Sequence, residues 1–436
     1  MMEGTRPRAP LGTLIGCLLI VFLVLLPKGG SRLGGLPLTW GYLLLMGVTP
    51  FALAMRLLLM PLRVPGRVLI VTFLLTPMQA LFVYAGHYYG VSNPPFAFST
   101  FVGLFALPWI FLLVFGPFYP MLDGRRLAHW FCVCVFLAAA WGIFLFFLHP
   151  VTGHFVEIPY LTVNASDFGE LETTKNIVRG RFYKLISTYN NGNLYGVATL
   201  LLLPLYLQME SSRLRRLIVR IALMLTLSRT VWAGVILNEL FSLGLALLGQ
   251  AKTFPVLYLG AARRRFIAVI ATLGLIVIAL GFTGIQSGFL LHFLFDPTGG
   301  NRIAQVQVLT DTTLLPSYAL YGFGEVLYAS AAQYWGWAGL FAFTLIMVSP
   351  LIMLLWDPGA LQSPLRRAAL KGLVIYIVMA GVDGALDFIP VMAFYWFVYA
   401  VFLYGWPGGH ILAPLRQKPA VAVQPNLPLM EDAAGA

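Results

Sequence analysis

The chain has 436 residues, 59% of them hydrophobic and only 10% charged, a balance far from that of a soluble domain. Its formal net charge is +12, but Lys and Arg stand in short clusters between apolar runs, which argues against nucleic acid as a partner and for a multi-pass membrane protein. Cys17, Cys132 and Cys134 all fall inside apolar runs without CxxC spacing, so neither a disulfide framework nor a zinc site is expected.

In chain order, apolar stretches long enough to span a bilayer, or nearly so, cover residues 11 to 27, 36 to 55, 68 to 86, 96 to 117, 128 to 148, 193 to 210, 217 to 228, 231 to 249, 266 to 284, 334 to 356, 372 to 388 and 391 to 407. They predict an all-α polytopic membrane protein of about twelve transmembrane helices over residues 1–413. No small-x-small cleavage site closes the first run and Pro27-Lys28 follows it, so a retained helix is expected there rather than a cleaved signal. The tail 414–436 is Pro- and Ala-rich, ends in an acidic pair before its last residues, and is expected to be disordered and cytoplasmic.

With the N-terminus inside, the cytoplasmic gaps hold Arg56, Arg63 and Arg67, then Arg125 and Arg126, Arg213 to Arg220, Lys252 and Arg263 to Arg265, and Arg366, Arg367 and Lys371. Lys28 and Arg32 fall on the outer side, a departure beside a short loop. Residues 217 to 249 split at "LSRTVWAG", where the first half is too short to cross unaided; a broken helix is expected, with Ser228-Arg229 beside a cavity. Two outward loops are long, about 149–192 and 285–333, and they hold most polar residues that are not topology signals.

The first of these loops contains "NIVRGRFYKLISTYNNGNLYG". Its cations Arg179, Arg181 and Lys184 suit a phosphate, and suit equally well pairing with Glu170, Glu172 or lipid headgroups. Asn190, Asn191, Gly192 and Asn193 are turn and helix-start chemistry. Arg229 is either a functional intramembrane cation or an interfacial one that snorkels. In the second loop, Gly299, Gly300 and Arg302 form a cationic turn, and Gly322 and Gly324 lead into Glu325. That glutamate opens "EVLYASAAQYWGWAG" and reads either as a general base at the mouth of the bundle or as an Arg-paired structural carboxylate.

His149 and His154 lack ligand spacing, and Asn164-Ala165-Ser166 is a triplet common by chance. Glu239, Asp383 and Asp387 are acids within or near apolar segments that could mark an ion pathway, as a transporter would need. No phosphate-binding loop, dinucleotide turn or HExxH occurs, so no cofactor or metal is expected.

Four patches in order, "RGRFYKLISTYNNGNLYG" before a Leu-rich run, "LTLSRTVWAG", "GGNRIAQVQVL" followed by "ALYGFG", and "EVLYASAAQYWGWAG", resemble the O-antigen polymerase and O-antigen ligase superfamily of bacterial envelope glycosyltransferases. The resemblance covers roughly residues 175 to 345; the first half of the chain is similar in hydropathy alone. It implies a GT-C-like bundle in the bacterial inner membrane, with cytoplasmic termini and periplasmic long loops. It also implies inverting, metal-independent transfer from an undecaprenyl-diphosphate-linked oligosaccharide, among membrane lipids and with a chain-length regulator or export complex as a further partner.

On that resemblance Glu325 and Arg229 would be catalytic, while Arg179, Arg181, Arg302 and Lys184 would bind the diphosphate. Tyr328, Tyr334, Trp335, Asn190 and Asn193 would bind sugar. Ligases of the group typically carry His where the last patch begins, and no His occurs here between His292 and His410, so the pattern is closer to a polymerase. Two further departures are that Glu325 stands where many polymerases have Asp, and that the Asn-Pro-Asn turn of the family is Asn190-Asn191-Gly192-Asn193.

Overall fold

The computed structural model describes residues 9–33, 36–60, 64–171, 178–179, 182–250, 267, 269, 302–320 and 324–408. The predicted segment 266–284 therefore lies outside the described residues apart from two isolated positions, as does the tail 414–436. Among the described residues six helices are long and apolar enough to cross a membrane: Trp40–Leu59 (α2), Gly66–Tyr89 (α3), Pro94–Met121 (α4), Gly124–Thr152 (α5), Gly192–Met209 (α6) and Leu327–Trp356 (α10). Further elements join them: Pro10–Leu25 (α1), Arg213–Leu225 (α7), Arg229–Gln250 (α8), Arg302–Gln307 (α9), Pro364–Met379 (α11) and Ile389–Tyr404 (α12).

Two boundaries differ from the apolar pattern. Residues Gly30–Leu33 and Leu36–Thr39 form an antiparallel hairpin, so α2 begins at Trp40 and not at residue 36; the flanking glycines and Pro37 favour a turn that a hydropathy window hides. The segment predicted to run from 372 to 388 as a helix begins earlier and stops at Met379, and Asp383 and Asp387 lie in the loop between α11 and α12.

Proline shapes α4. Pro108 has no N–H to offer the preceding turn, and the helix widens into π-helical turns at Val102–Ala106 and Ile110–Phe115. Neighbouring helices supply donors to this stretch: Gln79 Nε2 of α3 donates to the Leu104 carbonyl at 3.3 Å, and Trp396 Nε1 of α12 to that of Gly103 at 2.7 Å.

The bundle has a basic end and an opposite end. At the basic end Asp357 bridges Arg67 at the start of α3 (2.9 Å) and Arg366 at the start of α11 (2.5 Å), while Trp406 after α12 donates to the Gly124 carbonyl that opens α5. The break between α7 and α8 is resolved as a turn at Thr226 to Ser228, with Leu227 at φ 49°. The two helices are joined further along by Arg220 and the buried Glu239, 3.1 Å apart, and Asn238 donates to the same Glu239 oxygen.

The end of the loop 149–192 packs among the helices. Lys184 to Asn190 are buried: Ser187 Oγ donates to the carbonyl of Ala138 midway along α5, Tyr189 Oη to that of Val24, and the Leu185 N–H to that of Leu225. Non-helical backbone at this depth is stable because its polar groups are satisfied by the surrounding helices.

Candidate functional site

At the end opposite the basic clusters, three stretches distant in sequence converge. Asn191 caps α6 by accepting the N–H groups of Asn193 and Leu194, with Asn190 before it in a left-handed conformation, φ 57°. This turn aims the side chain of Asn193, one residue into the helix, at the loop between α11 and α12. Its Nδ2 donates to Asp383 Oδ2 at 2.8 Å.

The second stretch is the approach to α10. The Glu325 carbonyl accepts from Gly384 N–H and the Leu327 N–H donates to the Ala380 carbonyl, each at 3.0 Å, so the backbone on either side of Val326 is fastened to the loop that carries Asp383. Helix α9 docks onto the same strip through Gln305, whose Oε1 accepts the Val326 N–H at 3.0 Å. A Cβ at Gly324 would stand 2.6 Å from Gln305 Oε1, so a larger residue there would push that side chain off its contact.

These placements put Arg302 between two carboxylates. Its Nη2 lies 2.7 Å from Glu325 Oε2 and 3.6 Å from Asp383 Oδ2. The two acids differ in setting: 47% of the Glu325 side chain is exposed against 7% of Asp383. Burial pushes the Asp383 carboxyl up to about 6; the charge of Glu325 adds to the rise, and Arg302, the Asn193 hydrogen bond and Lys184 oppose it. The Oδ1 of Asn193 is buried with no donor reaching it among the described residues.

Arg302 also lines a cavity of about 730 Å³ together with Arg229. Ile303, Val306, Val326 and Met379 make much of the remaining wall, so a pair of cations faces an apolar groove. A headgroup of negative charge on a long apolar tail fits that pattern. Among the described residues no group of three His, Cys, Asp or Glu side chains could hold a metal ion.

Of the residues expected at a site, the structure brings together Glu325, Arg302 and Asn193, with Lys184 buried close enough to act on Asp383 and Arg229 across the cavity. Arg179 lies in a two-residue strand, Val178–Arg179, whose side chains are not described, and Arg181 is outside the described residues. The aromatic residues are turned toward the packed bundle to different degrees. Trp335 is fully buried, Tyr334 is buried near Phe96, and the Tyr328 hydroxyl donates to the Ile377 carbonyl at 2.9 Å. Their spacing on α10 turns them into the core, which leaves no open ring face for a sugar on Trp335. Asp383 was weighed in the sequence as an ion-pathway acid and not as a member of this cluster; its one signal is a carboxylate in an apolar segment.

Within α10 the glycines have a structural task. Gly336 takes φ 70°, interrupting the helix, and the N–H groups of Trp337 and Ala338 past the break donate to the Thr313 and Leu314 carbonyls at 3.0 Å. The stretch after α9 thus plugs the break and holds the cluster from the far side.

The described residues define a polytopic helical membrane protein with a charged cluster at one end of the bundle. No protein-family model matches the chain, and no curated protein matches it.

Proposed function

We propose that the chain is a membrane glycosyltransferase that lengthens a lipid-linked polysaccharide, acting at the periplasmic face of a bacterial inner membrane. The observation that carries this reading is the juxtaposition of Arg302, Glu325, Asp383 and Asn193 beside a groove that Arg229 also lines. Asn193, Arg229, Arg302 and Glu325 come, in that order, from the four patches that resemble the O-antigen polymerase and ligase superfamily.

The chemistry needs two things that the cluster offers. A hydroxyl of the acceptor sugar attacks the anomeric carbon of the donor; the new C–O bond forms as the bond from that carbon to the diphosphate oxygen breaks. The proton of the hydroxyl passes to the exposed carboxylate of Glu325, and the charge that grows on the departing diphosphate is met by Arg302 and Arg229. Attack from the face opposite the leaving group inverts the anomeric centre. The apolar wall of the groove takes the first isoprene units of the undecaprenyl chain.

The test is transfer by the purified full-length protein with a synthetic undecaprenyl-diphosphate repeat unit and no ion gradient. Lengthened lipid-linked product is the expected result, lost in Glu325→Gln and in Arg229→Ala that remain folded. Transfer to a lipid A-core acceptor alone would make it a ligase. Movement of the intact lipid-linked oligosaccharide across vesicles without transfer would make it a flippase, a reading disfavoured by Glu239, whose carboxylate is committed to Arg220 and Asn238.

A further inference from the structure

We infer that Asp383 is a positioning residue that keeps Arg302 in place while Glu325 is the exchangeable carboxylate, so that a diphosphate arriving at Arg302 displaces Glu325 and releases it to take a proton. The inference rests on the glycosyl-transfer reading only for the identity of the anion.

The two acids are held unequally. Both face the same nitrogen of Arg302, but Asp383 is almost wholly buried and is held by Asn193 at 2.8 Å, whereas Glu325 is half exposed and its carboxylate has Arg302 as its ion-pair partner. The Glu325 backbone is fixed on both sides of Val326, so its side chain alone can swing. A diphosphate binds a guanidinium through N–H groups of the kind that now engage Glu325, and its two negative charges set beside that carboxylate repel whichever anion is free to move. The mobile one yields. The buried one cannot leave without stranding Arg302, because the move would also break its hydrogen bond to Asn193.

The arrangement makes the base available only when the donor is seated. Glu325 paired to Arg302 has its Oε2 occupied; after the exchange the carboxylate stands beside the bound diphosphate, where the acceptor hydroxyl must come. No atom is consumed in the exchange, and the proton that Glu325 gains in the transfer returns to water.

Asp383 must be ionised to hold the guanidinium, and its carboxyl is pushed up to about 6 by burial, so lengthening is expected to fall as pH drops through that value. The charged and titratable groups that face Asp383 are Glu325 on the approach to α10, Arg302 on α9, Lys184 before α6 and the Tyr376 phenol on α11. Among these Glu325 is the other acid, and it is distinguished by substitution.

The experiment measures binding of a dialkyl diphosphate, whose two charges do not titrate between about pH 5 and 8, to the purified full-length protein by calorimetry. Removal of the competing carboxylate in Glu325→Gln is expected to tighten binding at least threefold. The gain is expected to vanish in the Asp383→Asn background, because Arg302 is no longer held, and to return in Asp383→Glu. Equal or weaker binding in Glu325→Gln overturns the exchange, and a gain that survives in Asp383→Asn overturns the positioning role. Should Asp383→Asn fail to fold, Asn193→Ala, which removes the hydrogen bond and leaves the charge, takes its place with the same two outcomes. In the lengthening assay, the acid limb near about pH 6 should disappear in Asp383→Asn, a change that a loss of folding alone does not produce. Binding requires no transfer: a protein that binds as described yet never lengthens a chain would refute the proposed function and leave the exchange standing.

Discussion

Two charge clusters sit at opposite ends of the bundle and are near inversions of one another. At the basic end one carboxylate, Asp357, lies between two guanidinium groups, Arg67 and Arg366; at the other end one guanidinium, Arg302, lies between two carboxylates, Glu325 and Asp383. The first is satisfied. The Arg366 hydrogen bond, more than any other influence, holds the Asp357 carboxyl below the ordinary value, and the cluster clips together the ends of α3, α10 and α11. The second carries one acid more than its cation can serve equally, and burial pushes one of those acids up instead of down. A cluster built to fasten helices has its carboxylate fully engaged; a cluster with an exposed carboxylate at the rim of a cavity has one to lend to chemistry.

The largest expected separation between the two is in rate. Arg302→Ala should slow lengthening by about a hundred- to a thousandfold, whereas Asp357→Asn should leave the rate per folded molecule unchanged; equal losses in both would erase the distinction. Next comes Gly336→Ala. The left-handed backbone and a Cβ 2.5 Å from the Leu314 carbonyl make it cost at least about 2 kcal/mol in folding, read as a lowered melting temperature in detergent. Asp357→Asn itself should cost roughly 1 kcal/mol, because about a third of that carboxylate meets water and screens the pair.

The pH dependence of melting sharpens the contrast, since the signs oppose. Asp357 has a lowered folded value, so its contribution is in place above the unfolded carboxylate range and is lost as pH falls through that lowered value. Asp383 is raised, so the folded protein holds a proton there that the unfolded chain has released, and this stabilisation is lost as pH rises from about 3.8 to about 6. Asparagine at either position should flatten its own window and leave the other unchanged. The smallest effect is Tyr328→Phe, which removes one hydrogen bond to Ile377 and should cost about 0.5–1 kcal/mol of stability with no change in rate.

Much of the fold was legible because a bilayer imposes length on apolar segments, and α3, α5 and α6 fall within a few residues of their predicted ends. The hairpin before α2 was not, since Leu36 and Leu38 raise the hydropathy of a strand as readily as that of a helix. The site was legible in pieces. Glu325, Arg302 and Asn193 stand out as polar residues at the edges of apolar runs, but the partner that joins them, Asp383, sits in what reads as the end of a span. Only the early stop of α11 at Met379, a tertiary outcome, turns it toward Arg302. The aromatics of "EVLYASAAQYWGWAG" are ambiguous in the sequence because a sugar platform and a packed helix core demand the same residue types; helical phase sends Trp335 inward.

The break at Gly336 has a mechanical consequence. It divides α10 into a long part, Trp337–Trp356, and a short arm, Leu327–Trp335, whose start beside Glu325 is fastened to the loop after α11. A bilayer thinner or thicker than the long part demands a change of tilt, and a helix with a pivot takes up that change at the pivot. The arm can then stay with Arg302 and the loop after α11 while the longer part tilts. Acyl-chain length in reconstituted membranes should therefore change the tilt of Trp337–Trp356 and leave the Arg302–Glu325 pair nearly untouched.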